Sequence, residues 1–241
     1  MHRRLVTLAR DLVDLVWPDV CAACAADASG SLCDACEDDL RQLGEASYCR
    51  KCGRSTDGPA CEACDGQGSP TIRSVWRVGS FEPPLSTLIR AAKFGGRWEL
   101  CRPLGERLAG VVDAPPDAVV VPVPLHPHRR ARRGFDQAEL IAKSLARRID
   151  RPLVKALVRR RNTRPQTELL GIAARQTNLR DAFAISPSAD VAGRPVILVD
   201  DVTTSGSTIR SAARAVAVGN PTSVVAAVLA VAERPEHRFQ H

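Results

Sequence analysis

The sequence predicts an α/β fold: a parallel sheet flanked by helices, preceded by a small cysteine-rich module. Three observations predict it. Short, continuous apolar runs alternate with helical patterns through the second half of the chain. Eight of the nine cysteines fall in paired C-x2-C knuckles before residue 65. Aromatic residues make up only 4% of a chain that is 44% apolar, so the core must be built from Val, Leu, Ile and Ala. At 241 residues the chain can bury one good core with a smaller unit beside it.

The opening stretch, MHRRLVTLARDLVDLVWPD, is basic and then apolar, which raises the question of a signal peptide. Arg10, Asp11 and Asp14 break every apolar run before it reaches the length such a signal needs. Leu5, Leu8, Leu12, Val13 and Val16 recur at helical spacing, and Pro18 stops the pattern, so a short amphipathic helix is expected. No segment approaches the roughly 18 apolar residues of a membrane span. The expectation is a cytoplasmic enzyme or binding protein.

The cysteines come next. CAAC at 21 and CDAC at 33 form one C-x2-C-x8-C-x2-C set; CRKC at 49 and CEAC at 61 repeat it 28 residues later at all four positions. In a chain read as cytoplasmic the thiols stay reduced, and paired knuckles point to tetrahedral zinc rather than disulfides. Two ribbons are predicted, with Cys21, Cys24, Cys33, Cys36, Cys49, Cys52, Cys61 and Cys64 as ligands. Four thiolates leave no open coordination position, so each site is structural. Interleaved ligation, with one knuckle from each repeat at each metal, stays open at this point, and a redox C-x-x-C is the alternative for the segment as a whole. Cys101 stands outside the pattern and reads as a small buried apolar residue.

Residues 65–75, rich in Gly, Ser and Pro, are the expected linker, giving a module over 1–68 and a second domain over 76–241. Beyond it VVVPV at 119, AFAI at 182, VILVD at 196 and SVVAAVLAVA at 223 read as buried strands, with helices over FDQAELIAKSLARRI and STIRSAARAVAVG. Apolar strands with helical crossovers imply a parallel sheet covered on both faces, whose ligands sit at the carboxyl ends of the strands.

Asp200 and Asp201 fall at one such end. The glycines of a dinucleotide loop and the Gly-Lys-Ser/Thr of a Walker loop are absent there. Instead Thr203, Thr204, Ser205, Gly206, Ser207 and Thr208 make a small hydroxylic turn leading into a helix, whose first N–H groups can cradle a phosphate. Two carboxylates beside that cradle would repel the anion itself. Sugar hydroxyls on the same ligand are their natural partners, as donors to acceptor-only groups.

VILVDDVTTSGST resembles the phosphoribosyl pyrophosphate motif of type I phosphoribosyltransferases. The resemblance implies that Asp200 and Asp201 hold the ribose hydroxyls, and that Thr204, Ser205, Gly206, Ser207 and Thr208 hold the 5-phosphate. VVPVPLHPHRRARRGFDQAELIAKSLA, RNTRPQTELLGIAARQTNLRDAFAI and VGSFEPPLSTLIRAAKFGG, together with the cysteine knuckles, resemble the ComF family, named for competence proteins. That similarity spans nearly the whole chain and implies a type I phosphoribosyltransferase-like sheet. Three positions depart from the family pattern: Asp136 stands where Asn is usual, Ala92 where Leu is usual, and Ser205 where Thr is common.

The chemistry such a site would perform is displacement of pyrophosphate from the ribose anomeric carbon, through an oxocarbenium-like state with charge gathering on the leaving group. Electrostatic stabilisation and orientation should carry most of the catalysis. Magnesium, bridging pyrophosphate and ribose oxygens, is the expected cofactor. The turn after VPVP carries Arg129, Arg130, Arg132 and Arg133, guanidinium forks suited to phosphate oxygens; an exposed helix start is the alternative. RRRNTRPQT at 159 to 167 occupies the place of the loop that closes over substrate in related transferases, with Arg161, Arg164 and Gln166 as candidates; the alternative is a surface loop with no catalytic part. Lys93 in KFGG is a further phosphate candidate, and the ribbons or residues 76–100 are expected to contribute to a hood over the acceptor.

The net charge of +7 is uneven. Residues 129–180 hold 15 Lys/Arg against four Asp/Glu, an excess of +11, while the remaining chain carries a net of −4. A block of that kind suits polyphosphate, nucleic acid or a solvated face. Two function classes follow: an enzyme transferring phosphoribose to an unspecified acceptor, and a protein of DNA uptake that binds single-stranded DNA and keeps the sugar-phosphate site as sensor or relic.

Overall fold

A computed structural model describes residues 20–57, 61, 64–66, 68–159 and 182–233. The helix expected over residues 5–16 and the candidates Arg161, Arg164 and Gln166 lie outside the described residues.

The sheet has four parallel strands: β1 (Val75–Ser80), β2 (Val119–Pro122), β5 (Pro195–Thr203) and β6 (Ser223–Val231), in the spatial order β1-β6-β5-β2. Their near-continuous Val/Ala/Leu runs reflect burial on both faces. Along β5, Val196 and Leu198 enter one core while Ile197 and Val199 enter the other. Residues 152–154 extend the sheet past β2, where Val154 N–H donates to Val120 O and Val120 N–H to Pro152 O, covering the open edge.

Three helices pack on one face: α1 (Asp34–Glu45), α2 (Leu85–Phe94) and α3 (Cys101–Val111), joined there by α5 (Gln137–Arg148). The other face is covered by α6 (Ser207–Ala217), through Ile209, Ala212, Ala213 and Val216. Helices α3 and α5 touch at Gly105, where a side chain would strike Ile141 O and Ser144 Cβ at 2.6 Å; Ser144 Oγ donates to Arg102 O nearby, at 2.8 Å. Cys101 is buried in this core, as its sequence context suggests.

One expectation changes. Phe183–Ile185 is a strand, β4, but it pairs antiparallel with β3 (Leu157–Arg159) in a separate two-stranded sheet. Its three residues are too short a run to specify membership of the main sheet. Within residues 76–100, expected to contribute to the hood, lie most of the edge strand β1 and the core helix α2, whose Leu85, Leu88, Ile89 and Ala92 recur on one helical face and are buried.

The cysteine segment is built onto this sheet. Leu40 of α1 belongs to the main core. The chain from Tyr48 to Ser55 folds back as an antiparallel bridge, and Arg50 O accepts from Val75 N–H at the start of β1. Arg77, fully buried, donates to Ser55 Oγ at 3.0 Å and lies 3.5 Å from Glu233 just beyond β6, while Glu233 accepts from Ser55 N–H at 2.7 Å. The guanidinium also stacks over Tyr48, 4.8 Å from the ring centroid.

Candidate functional site

Strand β5 carries the acidic pair inside its last turn of pairing and not beyond its end, since the ladder with β6 continues to Thr203 opposite Val231. Asp200 Oδ1 accepts from Asp201 N–H at 2.9 Å, and Asp201 Oδ1 from Val202 N–H at 2.6 Å. Burial, reinforced by the charge of Asp201, pushes the Asp200 carboxyl up to about 7. Asp201 is held differently: Lys93 Nζ, from the last turn of α2, sits 2.9 Å from its Oδ1. Lys93, expected at a phosphate, thus meets a carboxylate.

After Thr203 the chain turns through Thr204 and Ser205 to Gly206, whose φ of 71° places it in the left-handed region that glycine adopts without strain. Helix α6 starts at Ser207, with no acidic residue in its first turn and no side chain capping it. Ser205 Oγ and Ser207 Oγ are 2.9 Å apart, hydroxyls facing one another across the turn. Arg210, one turn into the helix, occupies the space above the turn: a side chain on Gly206 would meet Arg210 Nη1 at 2.5 Å. Burial, with Arg214 and Arg54 nearby, lowers the pKa of Arg210.

The arginine run after β2 is a short helix, α4 (Pro127–Arg133), rather than a loop, begun by Pro127 and ended by Gly134 in the left-handed region. Arg130 and Arg132 are exposed, and Arg130 lies 3.5 Å from Glu139; Arg129 and Arg133 are half-buried. Arg133 donates to Gln137 Oε1 at 2.9 Å and lies over the exposed Phe94 ring, 4.9 Å from its centroid. Its pKa is lowered by burial against the opposing pull of Asp201, which places it within electrostatic reach of the acidic pair. Asp136 has a structural task. It caps α5 by accepting from Glu139 N–H at 3.3 Å, and it ties down the chain after β2 by accepting from Leu125 N–H at 2.7 Å.

The sulfur atoms settle the pairing of the knuckles. Cys21, Cys24, Cys33 and Cys36 form one cluster and Cys49, Cys52, Cys61 and Cys64 the other, all four sulfurs of each within 4.8 Å of one another. Ligation is contiguous, not interleaved. Four sulfurs at the zinc–sulfur bond length define tetrahedron edges of about 3.8 Å; the sulfur separations observed are 3.6 Å for Cys24–Cys33, 3.7 Å for Cys49–Cys64 and 3.6 Å for Cys52–Cys61. Burial and the neighbouring thiols raise Cys36 and Cys52 far above an ordinary thiol, so four thiolates at this spacing need a cation to coexist.

Residues 12–68 match the family model described as a double zinc ribbon domain, and residues 136–241 match the phosphoribosyl transferase domain. Competence protein F of Haemophilus influenzae is 36% identical over 141 residues, and the DNA utilization protein YhgH of Escherichia coli is 33% identical over 156 residues, 61% of this chain and 67% of that protein. Competence protein ComFC of Bacillus subtilis is 33% identical over 96 residues, 40% of this chain and 37% of that one. The chain belongs to the ComF family. This ComF-family chain spans 61% of the length of the Haemophilus relative. It combines a phosphoribosyltransferase-type fold with two structural zinc sites at its amino-terminal side. No helix among the described residues is long and apolar enough to cross a membrane.

In this ComF-family chain the structure gathers Asp200, Asp201, the 203–208 turn, Lys93, Arg129 and Arg133 at one end of the sheet. Two residues there escape the sequence reading. Arg159, the last residue of β3, lies over Phe183 and feels the charges of Asp200, Asp136 and Arg129; it opens the basic run but still belongs to a strand, which periodicity over three residues cannot reveal. Arg54 of the second ribbon shares a cleft of about 110 Å³ with the turn, a contact across about 150 positions that no local pattern encodes.

Proposed function

We propose that the protein binds phosphoribosyl pyrophosphate with magnesium and transfers phosphoribose to an acceptor, releasing pyrophosphate. One observation carries this reading: two carboxylates near the carboxyl end of β5 are followed, across the turn at 204–206, by an uncapped, acid-free helix start. Asp200 and Asp201 accept from the ribose hydroxyls; Thr203, Thr204, Ser205, Gly206, Ser207 and Thr208 receive the 5-phosphate. Arg129 and Arg133, with Arg130 at the exposed margin, take the pyrophosphate, and Arg161, Arg164 and Gln166 close over it. Lys93 neutralises Asp201 until substrate arrives. When bound with the substrate, magnesium supplies charge neutralisation on the pyrophosphate oxygens. The bond between the anomeric carbon and the pyrophosphate oxygen breaks, a bond to an acceptor nitrogen forms, and the protein contributes mainly orientation and electrostatics.

Calorimetry with phosphoribosyl pyrophosphate and magnesium tests it. Wild type should bind and the Asp200→Ala/Asp201→Ala variant should lose at least tenfold in affinity, in line with the usual strength of hydrogen bonds to charged groups. No heat in wild type sinks the assignment. Acceptor-dependent pyrophosphate release, absent in the variant, separates transfer from binding.

A second reading, single-stranded DNA binding, has a surface in its favour. A groove of about 440 Å³ between α3 and α5 is lined by Trp98, 58% exposed, with Arg102, Lys143, Arg147 and Arg148 and the carboxylates Glu99 and Glu106, the latter paired with Arg102 at 3.0 Å, a stacking face with an excess of cations. The names of the relatives accord with it. Steeply salt-dependent DNA binding that is lost in Trp98→Ala and untouched by Asp200→Ala/Asp201→Ala supports this reading; equal binding by Trp98→Ala removes the groove from it.

A further inference from the structure

The cleft beside the hydroxylic turn is bounded by two parts of the chain. Thr203, Thr204, Ser205 and Gly206 with Arg210 form one wall, and the second ribbon forms the other through Lys51, Cys52, Arg54 and Cys64. Three cations face this space, and among the described residues no Asp or Glu lines it. Among the described residues none of the three forms an ion pair. Cations brought together without carboxylates repel one another, so the arrangement is favourable only when an anion shares it. The four-thiolate cluster is one candidate for that anion, since a divalent zinc with four thiolates leaves two negative charges. It does not account for all of the cleft: Arg210 belongs to α6 and is seated above Gly206, at the turn rather than at the sulfurs. Three cations against two negative charges, with the positive end of α6 added, leave the cleft positive.

We infer that the second zinc ribbon completes the phosphate end of the sugar-phosphate site, with Lys51 and Arg54 binding the phosphate monoester together with the 204–208 turn and Arg210. The inference rests on the reading given above, in which that turn receives the 5-phosphate. Lys51 lies within the Cys49–Cys52 knuckle and Arg54 just after it, where Cys49 N–H donates to Arg54 O at 2.8 Å, so the backbone of both cations is fixed by the ribbon and the ribbon acts as part of the binding site. A backbone bond from Val75 N–H to Arg50 O and the Ser55–Glu233 contact hold that knuckle against the sheet.

The test uses full-length, zinc-loaded protein and two probes, ribose 5-phosphate and inorganic pyrophosphate, measured by calorimetry. Arg54→Gln and Lys51→Ala should each weaken ribose 5-phosphate by roughly tenfold, as expected for charge-assisted contacts to phosphate, and leave pyrophosphate within about twofold. Arg54→Lys should recover part of the loss. Zinc content is read in the same samples. If the two cations serve only the sulfur cluster, the variants lose zinc affinity while ribose 5-phosphate binds as in wild type, and the inference fails. Should Arg54→Gln shed its metal, Lys51→Ala, exposed and outside the sulfur cage, decides in its place. Weakened binding in Asp200→Ala/Asp201→Ala with unchanged binding in both ribbon variants overturns this inference alone. Absence of ribose 5-phosphate binding in wild type overturns it together with the reading beneath it.

Discussion

Asp200 is held in a place that suits a bound ligand better than it suits the carboxylate alone. Its folded pKa, about 7, lies above the ordinary value of 3.8, because burial and Asp201 disfavour the charge. Between those two values the native protein holds more protons at this position than the unfolded chain does. Its contribution to stability is therefore present at low pH and is lost as pH rises toward 7. The melting temperature of ligand-free wild type should fall relative to Asp200→Asn as pH is raised from 4.5 to 7.5; parallel curves for the two proteins would remove the burial argument. Ribose hydroxyls favour the ionised form, so ligand affinity should increase over the same interval, and more in wild type than in the variant. The residue types at this site were legible from the sequence because Asp-Asp and the hydroxylic turn are contiguous. The protonation of Asp200 was not, since it depends on Asp201, on Lys93 from another helix, and on how deeply β5 is covered.

At the scale of single elements, the strands and helices with long, strongly patterned runs were readable: VVVPV, VILVD and SVVAAVLAVA became β2, β5 and β6, and the two amphipathic stretches became α5 and α6. Among the short elements, AFAI was readable as strand β4 but its sheet was not, and β3 was not read at all, because strands of three residues take their partner from tertiary context. The arginine run became helix α4 for a local reason, Pro at its start and Gly at its end, and half of its guanidinium groups point to water. Asp136, an outlier in the family pattern, proved to be a helix cap. The contact between α3 and α5 is another case in which a side chain's size matters more than its chemistry. Gly105→Ala places a methyl group 2.6 Å from Ile141 O, a backbone atom that cannot rotate away. The variant should lose about 1–3 kcal/mol in chemical denaturation, while Gly110→Ala in the same helix, with open space around it, should lose nothing and gain a little from helix propensity. Equal stability of the two variants would mean the helices can slide apart at little cost.

Across the whole molecule, the zinc segment and the sheet share structure. Arg77 is fully buried; its Nη2 donates to Ser55 of the ribbon and its Nη1 lies 3.5 Å from the carboxylate of Glu233 beyond β6. Removing one partner of a buried charge costs about 3–5 kcal/mol, which in a chain of this size is on the order of 10 °C in melting temperature. Glu233→Ala should produce a shift of that order with both zinc ions retained. Chelation of zinc should move the same transition in the same direction, and two separate transitions after chelation would show that ribbon and sheet unfold independently. The cysteine spacing announced the ribbons at once; their docking could not be read, because it joins residues 178 positions apart.

That separation also imposes an order of events on synthesis. The second sulfur cage is complete once residue 64 has been made, whereas β6, the strand that β1 pairs with, and Glu233 come about 170 residues later. At ordinary translation speeds the gap lasts roughly 10 to 30 seconds. Through that interval the ribbons have no sheet to lean on, and metal capture by the nascent chain is what keeps them ordered. A shortage of zinc would be felt on the ribosome, before there is anything to dock against, more than in the finished protein.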